Sequence, residues 1–152
     1  MLLAFDGSDI ARDAITRAVA LLGREQRYLA LSVVPPAFVP ATPLTPMDTH
    51  PTLSDPELEE QVENEEEAAA QRDLAALVSG LGIEAETHVV VGEPGPTICD
   101  AATDLGAELL VIGSHGHGWL RRVFLGSCSQ HVLHHAPCPV LVVRNEEAAT
   151  PD

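Results

Sequence analysis

The stretch 109–127, LLVIGSHGHGWLRRVFLGS, sets the architecture of this chain. Leu109 to Ile112 is apolar without a break, which suits a strand buried on both faces. Gly113 to Gly126 reads as a glycine-containing loop. Ser127 to Ala136 then reads as a short helix, with Ser127 and Gln130 spaced as a capping box and Pro137 as its stop. Pro139 to Val143, PVLVV, is the next strand. Two fully apolar strands joined through a helix make a parallel crossover, since parallel neighbours cannot be joined by a tight turn.

The rest of the chain repeats that unit. Met1 to Phe5 is an apolar strand ended by Asp6-Gly7-Ser8. Ile10, Ala11, Ala14, Ile15, Ala18, Val19 and Leu22 form one stripe of a helix of about 14 residues, with Ser8 placed to cap it and Gly23 to end it. Tyr28 to Val34 is a second strand, closed by Pro35-Pro36. Residues 35–56 hold seven prolines and no periodicity, a loop or lid of some 20 residues. Glu57 to Gly80 reads as a helix: its first half is a solvated acidic face, its second half packs through Ala70, Leu74, Leu77 and Leu81. Ile83 to Val91 alternates at first, with Glu84, Glu86 and His88 on one side, as a half-exposed edge strand does. Gly92 to Gly95 reads as a turn, and Pro96 opens a helix whose stripe is Ile98, Ala101, Ala102 and Leu105.

The element order is therefore βαβαβαβαβ, an α/β fold with a parallel sheet, helices on both faces and right-handed crossovers. One domain spans residues 1–146, and 147–152 reads as a disordered tail.

Composition narrows the function. The 152 residues include 8 basic and 23 acidic ones, for a net charge of −15, and every basic residue is Arg. That balance, with only five aromatics, argues against nucleic acid. Without Lys there is no P-loop, no Schiff base and no kinase-type lysine. No apolar run reaches the ~20 residues of a membrane span, and no basic segment precedes the first apolar run as in a signal peptide. Three Cys without ligand spacing, Cys99, Cys128 and Cys138, suit reduced thiols in the cytoplasm.

The acid is unevenly spread: from Leu109 to Asn145 there is no Asp or Glu, and the same segment holds five of the seven His. In doubly wound sheets, ligands sit beyond the carboxyl ends of the strands where strand order reverses. Two strand ends are furnished for this, Asp6-Gly7-Ser8 and the loop from Gly113. Glycines let backbone N–H groups converge on an anion. A helix opened by Gly126-Ser127 adds free N–H donors, partial positive charge and a hydroxyl. An acid after the first strand can accept hydrogen bonds from a base or ribose. Periodicity alone leaves open that these glycines only make turns and that Ser127 only caps a helix.

Spacing adds more. The pattern Gly113-x2-Gly116-x9-Gly126-Ser127 resembles the nucleotide signature of the universal stress protein family, and AFDGSD at the start, VVVGEPGPTI in the middle and APCPVLVV at the end extend the likeness. The resemblance spans the chain except the 35–56 loop. It implies a five-stranded Rossmann-like sheet of order 3-2-1-4-5 that binds ATP, with Mg²⁺ or Mn²⁺ held through the phosphates. Carried over by position, Asp6 would meet adenine or ribose with Ser8 beside it, and Val33 would meet adenine. Gly113, His115, Gly116, Gly126, Ser127 and the backbone of Cys128 would wrap ribose and phosphates, and Ser129 could add a hydroxyl. Cys128 departs from the small aliphatic residue usual after Gly-Ser.

Several residues have plainer readings. His115-x-His117 has metal-ligand spacing but no third ligand nearby, so no metal site is assigned. His131, His134 and His135 read as surface or packing residues, and Arg121 and Arg122 as solvating the loop or reaching phosphates. Cys99 and Cys138 read as small buried apolar residues. No Ser-His-acid or Cys-His constellation is defensible from spacing, so no catalytic residue is assigned. Val140, Leu141, Val142 and Val143 would leave an apolar edge, which a homodimer joined through these strands would cover.

The resulting expectation is an ATP-binding stress-response module of the cytoplasm, with at most slow hydrolysis and an unidentified client protein. Three alternatives remain: a phosphoryl or adenylyl transferase with Ser127 or a His as acceptor, a protein-recruiting module that needs no nucleotide, and a flavodoxin-like carrier.

Overall fold

A computed structural model describes residues 1–36, 56–114 and 125–144. Most of the Pro-rich loop, residues 115–124 of the glycine loop and the expected tail 147–152 lie outside the described residues. The elements are β1 (Leu2–Ala4), α1 (Asp9–Leu22), β2 (Tyr28–Val34), α2 (Pro56–Leu81), β3 (Ala85–Val91), α3 (Pro94–Asp104), β4 (Leu110–Gly113), α4 (Ser127–His135) and β5 (Val140–Val143). The strands form one sheet of order β3-β2-β1-β4-β5, parallel at every pairing, as expected from the alternation of apolar runs.

Two cores lie on the two faces, and strand periodicity sorts residues between them. Leu3, Ala30 and Val111 face α1 and α2, where Ala11, Ile15, Ala18, Val19, Leu74, Leu77 and Leu81 pack on them. Their neighbours Leu2, Leu29, Leu31, Leu110 and Ile112 face α3 and α4 and meet Ile98, Cys99, Ala102 and Val132. Leu2, Leu3, Ile15, Leu74 and Leu110 are fully buried, so truncating any one to Ala should cost about 2–5 kcal/mol. The acidic first half of α2 buries no described side chain, whereas its second half is anchored by Leu74, Leu77 and Leu81. No helix among the described residues is long and apolar enough to cross a membrane.

Two local expectations are corrected. The turn before α3 is shorter than Gly92 to Gly95: Glu93 is the N-cap and Pro94 the first helical residue. Both Pro94 and Pro96 fit the first turn, where N–H groups have no helical partner, so Gly95 lies inside the helix. The capping box of α4 does not form, because Gly126 is the N-cap and no side chain caps it. His88 on β3 is half-buried, in keeping with a half-exposed edge strand, and its Nε2 has no hydrogen-bond partner among the described residues.

Candidate functional site

β1 is flanked by β2 on one side and β4 on the other, so the chain reverses its direction of travel across the sheet between these strands. The carboxyl ends of β1 and β4 therefore border the crevice where such folds take ligands.

At the end of β1 the chain turns through Gly7, whose φ of 83° excludes most other residues. Asp6 Oδ1 accepts two hydrogen bonds from one residue, from the Ser8 N–H at 3.0 Å and from Ser8 Oγ at 2.6 Å. The same Ser8 Oγ accepts the Ala11 N–H at 3.1 Å, capping α1 as its sequence position predicts. Ser8 thus couples the start of α1 to the orientation of the Asp6 carboxylate. The Arg12 guanidinium lies 5.3 Å from the centroid of the buried Phe5 ring, bringing a cation next to this turn. Arg12 carries no motif signal; only its place one turn into α1 hints at this role.

At the end of β4 both ends of the glycine loop are pinned. The Ser114 N–H donates to the Val143 carbonyl at 3.0 Å, and the Gly126 N–H donates to the Ser114 carbonyl at 3.1 Å. Ser129 is buried and its Oγ donates to the Gly113 carbonyl at 3.0 Å, tying the first turn of α4 to the tip of β4. Its hydroxyl proton is thereby turned inward. Ser127, at the first position of α4, is exposed. The N–H groups of Ser127, Cys128 and Ser129 belong to the opening turn, which has no carbonyl four residues back inside the helix.

The two strand ends meet. Burial pushes the Cys128 thiol up, and the Asp6 carboxylate adds to it in the same direction, in keeping with the adjacency of β1 and β4 in the sheet. Val33 sits half-buried near the end of β2, packed beside the α3/α4 core. The structure therefore gathers Asp6, Ser8, Gly113, Gly126, Ser127, Cys128 and Ser129 at one end of β1 and β4, with Val33 on the neighbouring strand. His115, Gly116, His117, Arg121 and Arg122 lie outside the described residues.

The thiols do not form a reactive pair. Cys99, Cys128 and Cys138 are free, and all belong to the α3/α4 core. Burial pushes the Cys99 thiol up, Asp100 adds to it, and burial also raises Cys138. Among the described residues, no group of three or more His, Cys, Asp or Glu could hold a metal ion.

Known proteins share this fold. The sequence profile of the universal stress protein family matches residues 1–144. Universal stress protein YxiE of Bacillus subtilis is 35% identical over 153 residues, covering 95% of this chain and 97% of its own length. The structure of universal stress protein UspA from Lactobacillus plantarum superposes with a TM-score of 0.75 at 27% identity, over 94% of this chain and 95% of that one. A universal stress protein family protein from Arabidopsis thaliana, solved with AMP bound, gives a TM-score of 0.64 at 18% identity, over 99% of this chain and 94% of that one. With its sheet order, its paired strand ends and its profile in agreement, the chain belongs to the universal stress protein family.

Proposed function

We propose that this protein binds ATP at the ends of β1 and β4 and works as a regulatory stress-response module of the cytoplasm. The observation that carries the reading is the start of α4, where Gly126 brings no capping side chain and Asp6 stands close by. A phosphate chain suits that opening: it would meet N–H donors that have no partner within the helix, helix partial charge and the exposed Ser127 hydroxyl. Asp6, oriented by Ser8, accepts hydrogen bonds from the adenine or ribose end, and Val33 offers an apolar contact to the base. Ser129 acts behind the site, holding Gly113 and α4 together. His115 and Gly116 complete the cradle in this proposal. Mg²⁺ or Mn²⁺ is held through phosphate oxygens, since the segment Leu109 to Asn145 offers no carboxylate. With no carboxylate in that segment to position water, hydrolysis is expected to be slow.

Mass spectrometry of nucleotide released from freshly purified protein, followed by calorimetric titration with ATP, ADP, AMP and cyclic AMP, tests this reading. ATP is expected to bind tightest, and Gly126→Val to weaken it at least tenfold, about 1.4 kcal/mol. Unchanged ATP affinity in Gly126→Val refutes the cradle.

The second part of the proposal is a homodimer through β5. Val140, Leu141, Val142 and Val143 are all partly exposed on an edge strand, and all four pack on the two cores from its flanks. Pairing with a second copy would cover that edge. Light scattering after size exclusion is expected to give twice the chain mass at micromolar concentration; a monomer there refutes the dimer.

A further inference from the structure

Helix α4 ends in three histidines that the nucleotide reading does not use. Its sequence, SCSQHVLHH, contains neither a carboxylate nor an Arg. His131 and His135 stand one helical turn apart on a common face. Their rings stack, with centroids 4.3 Å apart and planes inclined by 19°. His134 meets His135 only edge-on, at 6.4 Å.

One ring of the pair is oriented by a hydrogen bond and the other packs beside α3. His135 Nδ1 lies 2.9 Å from the His131 carbonyl oxygen. A carbonyl only accepts, so the bond puts the neutral ring's proton on Nδ1 and leaves the lone pair on Nε2. His131 rests against Gly95 of α3 so closely that a Cβ there would sit 2.9 Å from the histidine Cβ and Cγ.

We propose that His131 and His135 form a bidentate surface site for a late first-row divalent ion such as Ni²⁺, Cu²⁺ or Zn²⁺, with water filling the other positions. Neutral imidazole suits these ions, whereas Mg²⁺ demands oxygen ligands. A ring N–H donated to a backbone carbonyl is the arrangement that orients ligating histidines elsewhere. The pair also sits at the carbonyl end of a helix, where partial charge is negative, on a chain of net charge −15. The stacked rings are the metal-free arrangement. In this proposal the His131 ring turns out of the stack to bring a nitrogen to the ion held by His135.

The test is calorimetric titration of tag-free, chelator-treated full-length protein with Ni²⁺, with Mg²⁺ as control. One Ni²⁺ per chain is expected, and no Mg²⁺ uptake at this site. Either His131→Gln or His135→Gln should weaken Ni²⁺ at least tenfold, while His134→Gln should change it less than twofold. His135 is exposed, so its variant keeps the fold, which its melting curve checks. Saturating Ni²⁺ should raise the melting temperature of the parent but not of His135→Gln. Full Ni²⁺ affinity in His135→Gln overturns the proposal. So does loss of binding in His134→Gln or in His115→Gln, which would place the ion elsewhere.

Discussion

Helices α1 and α4 start at the same end of the sheet, each after one of two adjacent strands, and their first turns are opposites. The start of α1 is closed. Ser8 Oγ takes the Ala11 N–H, Asp9 lies in the first turn and Asp6 is tied to Ser8. The start of α4 is open, with a glycine at its N-cap, no side-chain cap and no acid in the first turn. The other two helices also start beside acids: Glu93 is the N-cap residue of α3, although its side chain makes no cap, and α2 begins Pro56-Glu57-Leu58-Glu59-Glu60. Three helix starts thus carry carboxylates that answer their own partial positive charge. Helix α4 alone starts on a glycine with no acid at its N-cap or in its first turn.

Making α4 resemble α1 should break the contrast most strongly. Ser127→Asp places a carboxylate on the exposed first residue of α4. The helix should gain stability, by about 0.3–1 kcal/mol from the charge at its N-terminus. ATP affinity should fall about a hundredfold, about 2.7 kcal/mol, because the new charge faces the phosphates. Thermal melts and calorimetry on the same sample read both effects. Weaker binding together with a destabilised fold would defeat the idea that stability and binding oppose one another here.

The cap itself supplies a smaller test. Ser8→Ala removes the α1 cap and should cost about 1 kcal/mol in chemical denaturation. It also removes the hydroxyl bond to Asp6 Oδ1 while the backbone N–H of residue 8 still donates there, so ATP should bind about threefold more weakly. In an Asp6→Ala background that threefold loss should vanish, since Ser8 acts through Asp6. At α4, Gln130→Ala should leave stability within about 0.5 kcal/mol, as expected for an exposed side chain that makes no cap. A loss near 1 kcal/mol there would mean the capping box forms in solution.

The sequence carried the fold well and the fine geometry of the site less well, for physical reasons. Apolar strands separated by striped helices leave few parallel arrangements, so element order and layering were legible. The boundaries that slipped are ones where two residues compete for one role. Ser127 and Gln130 have capping-box spacing, but the Gly126 N–H bonded to the Ser114 carbonyl makes Gly126 the half-helical residue instead. Pro94 and Pro96 both suit a first turn, and the earlier one wins. Spacing places the Ser129 hydroxyl in the first turn of α4, but only the fold shows that it donates to the Gly113 carbonyl. The gathering of Cys99, Cys128 and Cys138 in one core joins α3, α4 and the approach to β5, a proximity no local spacing can reveal.

The smallest expected effect reads the distance between the two helix starts. The Cys128 thiol is pushed up first by burial and then by the Asp6 carboxylate, so less thiolate is present at neutral pH than at an ordinary cysteine. Removing the Asp6 charge with Asp6→Asn takes away only the second cause. The pKa should move down, the thiolate fraction at pH 7.5 should rise, and iodoacetamide should label Cys128 about twofold faster. Cys138, whose raised thiol owes nothing to Asp6, is the internal control and should label at its former rate. Bound ATP should slow labelling of Cys128 in both proteins, because phosphates over the first turn of α4 both cover the thiol and add negative charge beside it. If Asp6→Asn speeds Cys128 and Cys138 equally, the change is a general loosening of the α3/α4 core. A rate change confined to Cys128 would measure the closeness of an open helix start and the carboxylate held by a closed one.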